Sequence, residues 1–241
     1  MKVIAVGTHP DDVELSCGGL VAKLTSLGHE VGIADLTRGE LGSSGSARIR
    51  ARESARAASI LRASWRECCE LPDGGLDHSD RSHVLAAVEL LRRHRPALLL
   101  APYRYSRHPD HAEGSEILRR AVFLAGLRQL EAKGKPFQSG KILYYMSDMQ
   151  FEPTFIVGID DFFETKMKAV RAYKSQFRRD RADAYPTRLN EPGFLNRIEV
   201  RARFFGTTIE GTYGEAFLYE GPLRVDDPVR LLVEPQRRNE R

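Results

Sequence analysis

The sequence predicts an α/β fold, a Rossmann-like and mostly parallel sheet with helices on both faces. Three observations carry this expectation. Short apolar runs alternate with helix-compatible segments through the first 125 residues. The runs are apolar at consecutive positions, as strands covered on both faces are. Each run also ends in polar or glycine residues before the next helical pattern begins.

Val3 to Val6 is the first such run, closed by Gly7 and a polar turn, with a helix-compatible stretch from Gly18 to Leu27. Gly28 marks the stop of that helix, and Val31 to Leu36 supplies the second strand. A Gly/Ser loop, Gly39 to Ser46, precedes Ala47 to Leu61, a segment of strong helix formers. A third strand is expected near Glu67 to Leu71. Ser82 to His94 has helical spacing, and Pro96 leads into the fourth strand, Ala97 to Ala101. Right-handed crossovers turn this β-α series into a Rossmann-like sheet. Further on, Lys141 to Met146 and Thr154 to Ile159 read as strands, and Asp160 to Tyr173 as an amphipathic helix capped by its Asp. Phe177 to Gly193 is polar and reads as an irregular, mobile loop. The tail after Gly221 holds three prolines and ends in charges, so its last positions are expected to be exposed or disordered. The whole is read as one domain over 1–241, with a core of about 2–221 and a charged tail of about 222–241.

A hydrophobic fraction of 41% and a charged fraction of 29% exclude disordered and fibrous classes. The net charge of +4 is carried by scattered arginines without a basic block, so no nucleic-acid partner is implied. Arginine does suit a small anionic substrate, because guanidinium pairs bidentately with carboxylate or phosphate. The opening MKVIAVGTHPDD is too short in its apolar part for a signal peptide or a membrane span, and a cytoplasmic location without membrane contact is expected. Cys17, Cys68 and Cys69 have neither a disulfide framework nor the spacing of a structural zinc site, and read as reduced thiols.

Ligands of open parallel sheets bind outside the carboxyl ends of the strands. Three loops there are rich in chemistry: His9-Pro10-Asp11-Asp12 with Glu14, Thr37-Arg38-Gly39-Glu40, and Arg107-His108-Pro109-Asp110-His111. His9, Asp12 and His111 would offer a divalent metal two imidazoles and a carboxylate with a position left for water, the donor set of catalytic zinc sites. Asp11 would then take a proton from the hydrolytic water. His108 paired with Asp110 would remain protonated and serve as the acid. A nucleotide-binding Rossmann module is the competing reading, but the first turn lacks a G-x-G-x-x-G run and its carboxylates would repel a pyrophosphate.

With His9-Pro10-Asp11-Asp12-Val13-Glu14, Gly18-Gly19 and His108-Pro109-Asp110-His111, the chain resembles the PIG-L or LmbE-like zinc deacetylases from residue 2 to about 221. The resemblance implies zinc held by His9, Asp12 and His111, Asp11 as general base, and His108 assisting, oriented by Asp110. It also implies homo-oligomers, often hexamers. Asp35 to Ser43, Leu71-Pro72-Asp73-Gly74 and Tyr173 to Phe177 look like the bacillithiol-biosynthesis branch of that family. Members of that branch remove acetyl from N-acetylglucosaminyl-malate, and relatives act on chitin-type sugars. On this resemblance Arg50 matches a substrate-binding arginine, while Arg38 and Arg107 are further candidates for a substrate carboxylate. Glu14 and Glu40 are expected to make supporting hydrogen bonds and not to contact zinc.

Overall fold

The computed structural model describes residues 1–138, 140–177 and 185–232. Its centre is the first apolar run, strand β1 (Lys2–Gly7), which pairs in parallel with β2 (Glu30–Thr37) on one side and β4 (Leu98–Pro102) on the other. Strand β3 (Trp65–Leu71) extends the sheet beyond β2, and β5 (Lys141–Tyr145) extends it beyond β4, again in parallel. The last two strands reverse direction: β7 (Gly214–Leu218) runs antiparallel between β5 and β6 (Phe155–Gly158). The order is β3-β2-β1-β4-β5-β7-β6, a mostly parallel sheet as expected.

Alternation along the strands sends side chains to opposite faces. Val3 and Ala5 of β1 join a core with residues of α1 (Asp12–Ser26), α2 (Ala47–Ile60) and the end of α5 (Phe163–Val170). Ile4 and Val6 join the other core, with α3 (Arg81–His94) and α4 (Pro109–Leu124). Both faces are thus covered, which is why the strands read as unbroken apolar runs. Among the described residues no helix is long and apolar enough to cross a membrane.

Three differences from the sequence reading have physical causes. The first helix starts at Asp12 instead of Gly18, because its opening turn is built of carboxylates that pattern as a loop. The expected Asp cap at 160 is absent; Asp160 begins a 3₁₀ turn and its Oδ1 accepts from Thr212 N (2.7 Å) and Tyr213 N (2.9 Å), anchoring the lead-in to β7. The loop expected over 177–193 lies outside the described residues at 178–184; α6 (Lys174–Phe177) precedes that stretch, and α7 (Phe194–Thr207) follows the loop. A short α8 (Pro228–Leu232) occupies the described part of the tail, and 233–241 lie outside the description.

Helix α1 is broken. Cys17 has φ −131° and ψ 21°, outside helical values, which frees amides just beyond it. A carboxylate from the antiparallel part of the sheet takes them: Glu215 of β7 accepts from Gly19 N (2.9 Å) and Leu20 N (2.7 Å). Lys166 of α5, fully buried, balances the charge at 2.5 Å and also donates to Ser16 O. The glycine pair follows from this packing, since a Cβ on Gly19 would lie 2.6 Å from Ile159 Cδ1 and 3.0 Å from Glu215 Oε1. Gly19→Ala is therefore expected to destabilise by about 1–3 kcal/mol through overpacking, even though Ala gains up to about 1 kcal/mol in helix propensity. Thermal unfolding checks this, with a net fall in Tm expected; a rise would mean that the cap tolerates a side chain.

A second buried network supports the start of α1. Arg66 of β3 makes a fork to Asp35 of β2, with Nε to Oδ2 and Nη2 to Oδ1 both at 2.8 Å, and its Nη1 donates to Glu14 Oε1 at 2.5 Å. Tyr173, in the turn between α5 and the next helix, donates its hydroxyl to the same Glu14 oxygen at 3.2 Å. Glu14 is fully buried, and burial raises its pKa against the opposing pull of Arg66.

Candidate active site

β1 and β4 are neighbours that connect outward in opposite directions, so the crevice beyond their carboxyl ends is the switch point of the sheet. Both histidine loops open there. After β1 the chain turns through Asp11, whose φ of 115° lies in the left-handed region where a non-glycine residue is strained. That turn is closed by His9 N donating to Asp12 Oδ2 (2.8 Å), and Asp12 becomes the first residue of α1. After β4, Pro109 starts α4 and His108 caps it, its Nδ1 accepting from Asp110 N at 3.3 Å.

These turns bring His9, Asp12 and His111 together, with one ligand atom of each within 4.8 Å of the others. His9 Nδ1 stands 3.5 Å from Asp12 Oδ2, and His111 Nε2 stands 3.2 Å from Asp12 Oδ1. Burial disfavours a charged His9, yet hydrogen bonds to Asp110, Asp12 and Asp73 outweigh it and push the imidazole up to about 12. Burial likewise opposes ionisation of Asp12, but His111 and His9 hold its carboxyl well below the usual range. An environment that retains a proton this strongly favours positive charge at that point, and two imidazoles with a carboxylate are a donor set a divalent metal fits. A second grouping, His9 with His108 and Asp110, meets the same distance limit, but His108 is only half-buried and its Nδ1 is committed to the cap of its own helix. The first set is the better metal site.

Asp11 sits beside this set without belonging to it. Burial and the charge of Asp12 raise its pKa to about 7, against the pull of Arg50. Arg50 departs from its expected place. It is buried beneath the loop, donating from Nη1 to Gly39 O (3.1 Å) and from Nη2 to Pro10 O (2.7 Å) and Asp11 Oδ2 (3.0 Å). α2 begins at Ala47 as expected, but its first turn packs under the first histidine loop, so the side chain reaches Pro10 O and Asp11 from beneath. Arg38 and Arg107 do stand exposed on their loops.

Asp110 also differs from expectation. Its carboxylate accepts from Gly74 N (2.7 Å) and lies 3.4 Å from His9 Nε2, so its close contacts are to Gly74 and His9, while its backbone N donates to His108 Nδ1. His108 has its pKa lowered by burial and by the positive charges of His9 and His111, which outweigh Asp110. It is therefore not held protonated, as the sequence reading expected. With Nδ1 accepting from the helix amide, a neutral His108 carries its proton on Nε2 and can donate a hydrogen bond outward.

Several contributors had no clear signal in the sequence. Asp73 Oδ1 lies 3.0 Å from His9 Nε2 while Oδ2 accepts from Leu41 N (2.8 Å); it appeared only within a motif, without a role. Glu40 accepts from Asp73 N at 3.1 Å, the supporting bond expected of it. Ser106 and Asp148 line the other side, with Ser106 Oγ 3.3 Å from His111 Nδ1 and 2.8 Å from Asp148 Oδ1.

Residues 4–122 match the sequence profile of a family described as PIG-L, GlcNAc-PI de-N-acetylase. The diacetylchitobiose deacetylase of Thermococcus kodakarensis is 31% identical over 194 residues, covering 74% of this chain and 71% of that protein. Among solved structures, a conserved protein of Thermus thermophilus is 36% identical with a TM-score of 0.84, covering 92% of this chain and 96% of its own. The N,N′-diacetylchitobiose deacetylase of Pyrococcus horikoshii, in complex with its inhibitor MPG, is 27% identical with a TM-score of 0.76, over 98% of this chain and 87% of its own.

Proposed function

The chain belongs to the PIG-L family of de-N-acetylases, and from that premise we propose that it is a zinc-dependent hydrolase removing acetyl from N-acetylglucosaminyl-malate. The observation that carries this reading is the convergence of His9, Asp12 and His111 next to a buried Asp11 that is not itself one of the ligands. Held by His9, Asp12 and His111, a zinc ion would supply Lewis-acid polarisation of the acetyl carbonyl and a lowered pKa for water.

The chain's own groups supply the rest. Asp11, held from below by Arg50 on Oδ2, keeps Oδ1 for the hydrolytic water and takes its proton. His108, neutral with its proton on Nε2, donates to the oxygen that gains charge as the carbonyl is attacked. Asp11 can return its proton to the departing amine. Arg38 and Arg107, on the exposed rim, are the side chains available to a malate carboxylate. Arg50 works from beneath, as the partner of Asp11.

Deacetylation of diacetylchitobiose is the second reading, favoured by the relatives that carry that name. Acetate release by the zinc-loaded protein from each substrate decides between them, with the higher kcat/KM expected for N-acetylglucosaminyl-malate. Arg50→Ala is expected to lower kcat/KM on both substrates alike, by roughly ten- to hundredfold, the equivalent of a lost charge-assisted bond of about 1.5–3 kcal/mol. Arg38→Ala and Arg107→Ala should instead penalise only the malate conjugate. A loss at Arg50 confined to the charged substrate would return that residue to direct substrate contact.

A further inference from the structure

We infer that Ser106 and Asp148 form a positioning relay that fixes the tautomer of His111, and with it the atom this histidine presents to the metal. The inference rests on the metal site proposed above and adds residues that lie outside its two histidine motifs.

Proton accounting carries the argument. Asp148, as a carboxylate, has no proton to give, so the 2.8 Å contact with Ser106 consumes the single hydroxyl proton of the serine. Ser106 Oγ can then only accept from its other neighbours. It does so from His108 N at 3.1 Å and meets His111 Nδ1 at 3.3 Å. His111 Nδ1 therefore carries a proton, which makes Nε2, 3.2 Å from Asp12 Oδ1, the nitrogen whose lone pair would be given to the ion. Were the serine proton to turn toward His111, Nε2 would carry hydrogen and could not ligate.

The other histidine is set in the opposite sense by the same logic. His9 Nε2 faces Asp73 and Asp110, at 3.0 and 3.4 Å, and Nδ1 is left for the metal. Two ligands thus use different ring nitrogens, each selected by its own acceptors.

The relay is itself anchored. Asp148 Oδ2 accepts from Arg107 N at 3.0 Å, pinning the loop that leads into His108–His111. The neighbouring Ser147 carbonyl accepts from Arg201 of α7, which also donates to Leu15 O (3.1 Å). Asp148 therefore brings the loop after β5 into support of a ligand borne on α4. An asparagine at 148 with its oxygen on Arg107 N would turn its NH₂ to Ser106 Oγ, and the serine proton, no longer held by a carboxylate, would be free to turn toward His111 Nδ1.

The test is zinc affinity of the full chain, measured by competition with a fluorescent chelator, beside Tm as a check on folding. Ser106→Ala and Asp148→Asn are each expected to weaken zinc binding by about 10- to 100-fold, the usual effect of removing the partner that orients a ligating histidine. Ser106→Thr, which keeps the hydroxyl, should restore most of the affinity, a rescue that loss of packing alone would not produce. Wild-type affinity in both Ser106→Ala and Asp148→Asn, with zinc tightly bound to the unmutated protein, would overturn the relay while leaving the metal site standing. Failure of the unmutated protein to bind zinc at all would overturn both.

Discussion

Asp11→Asn is expected to keep one equivalent of zinc and to lose turnover by about a hundredfold or more, the scale of a missing general base. Three features make this substitution informative. Asp11 is not among the converging ligands, so its amide should leave metal content unchanged. Its φ of 115° demands a residue that tolerates the left-handed region, and Asn does so better than other non-glycine replacements. Arg50 can still donate to the amide oxygen, so the loop keeps its anchor. What disappears is the capacity to take a proton. Metal analysis beside acetate release separates the outcomes: loss of zinc would make Asp11 a ligand, and near-normal turnover would move the base elsewhere.

Arg66→Ala is expected to have the largest effect on stability. The side chain satisfies Asp35 and Glu14 together inside the fold, with Glu14 fully buried. Removing the cation strands two carboxylates that have no access to water, and breaking a buried pair in this way costs about 3–5 kcal/mol. For a chain of this size that corresponds to a fall in Tm of roughly 6 to 20 °C. Calorimetry or denaturant unfolding measures it. Activity should fail with it, since Glu14 belongs to the same turn of α1 as Asp11 and Asp12. A Tm within a degree of the parent would show that the carboxylates find other partners.

The residues that were legible in advance share a property. His9, Asp11, Asp12, His108 and His111 lie on two short loops, each following an apolar strand, and strand order alone brings the loops together. The supporting groups do not have that property. Ser106 finds Asp148 across 42 positions, Arg66 finds Glu14 across 52, and Tyr173 finds Glu14 across 159. No local periodicity encodes such pairings. Arg66 lies just before the strand expected from Glu67, so its place in β3 was not read either. Arg50 shows the converse limit: its chemistry and the start of its helix at Ala47 were readable, but whether it faced the substrate or the underside of the loop depended on contacts with Pro10 and Asp11, 40 and 39 positions away. On the fold side, β1, β2 and β4 were clear because each is largely apolar along its length, whereas β3, which carries Arg66, Glu67 and Glu70, was placed only from Glu67 onward. Strand β7 was missed because Gly214 and Glu215 interrupt its apolar pattern, and α7 because it follows a long polar stretch.

The break in α1 at Cys17 gives the chain a means of adjustment at a distance. The opening turn, with Asp11 and Asp12, and the longer run from Gly19 onward are two rods joined end to end, and the joint is clamped by Glu215 and Lys166 from elements that contribute none of the converging ligands. A change of length or charge at either clamp residue would re-aim the ligand-bearing turn while leaving every ligand in place. Substitutions in the outer rod, by contrast, have a discontinuity to cross before they reach the site. Descendants of this sequence could thus tune the catalytic turn through β7 and α5, and spend the outer surface of the helix on unrelated contacts.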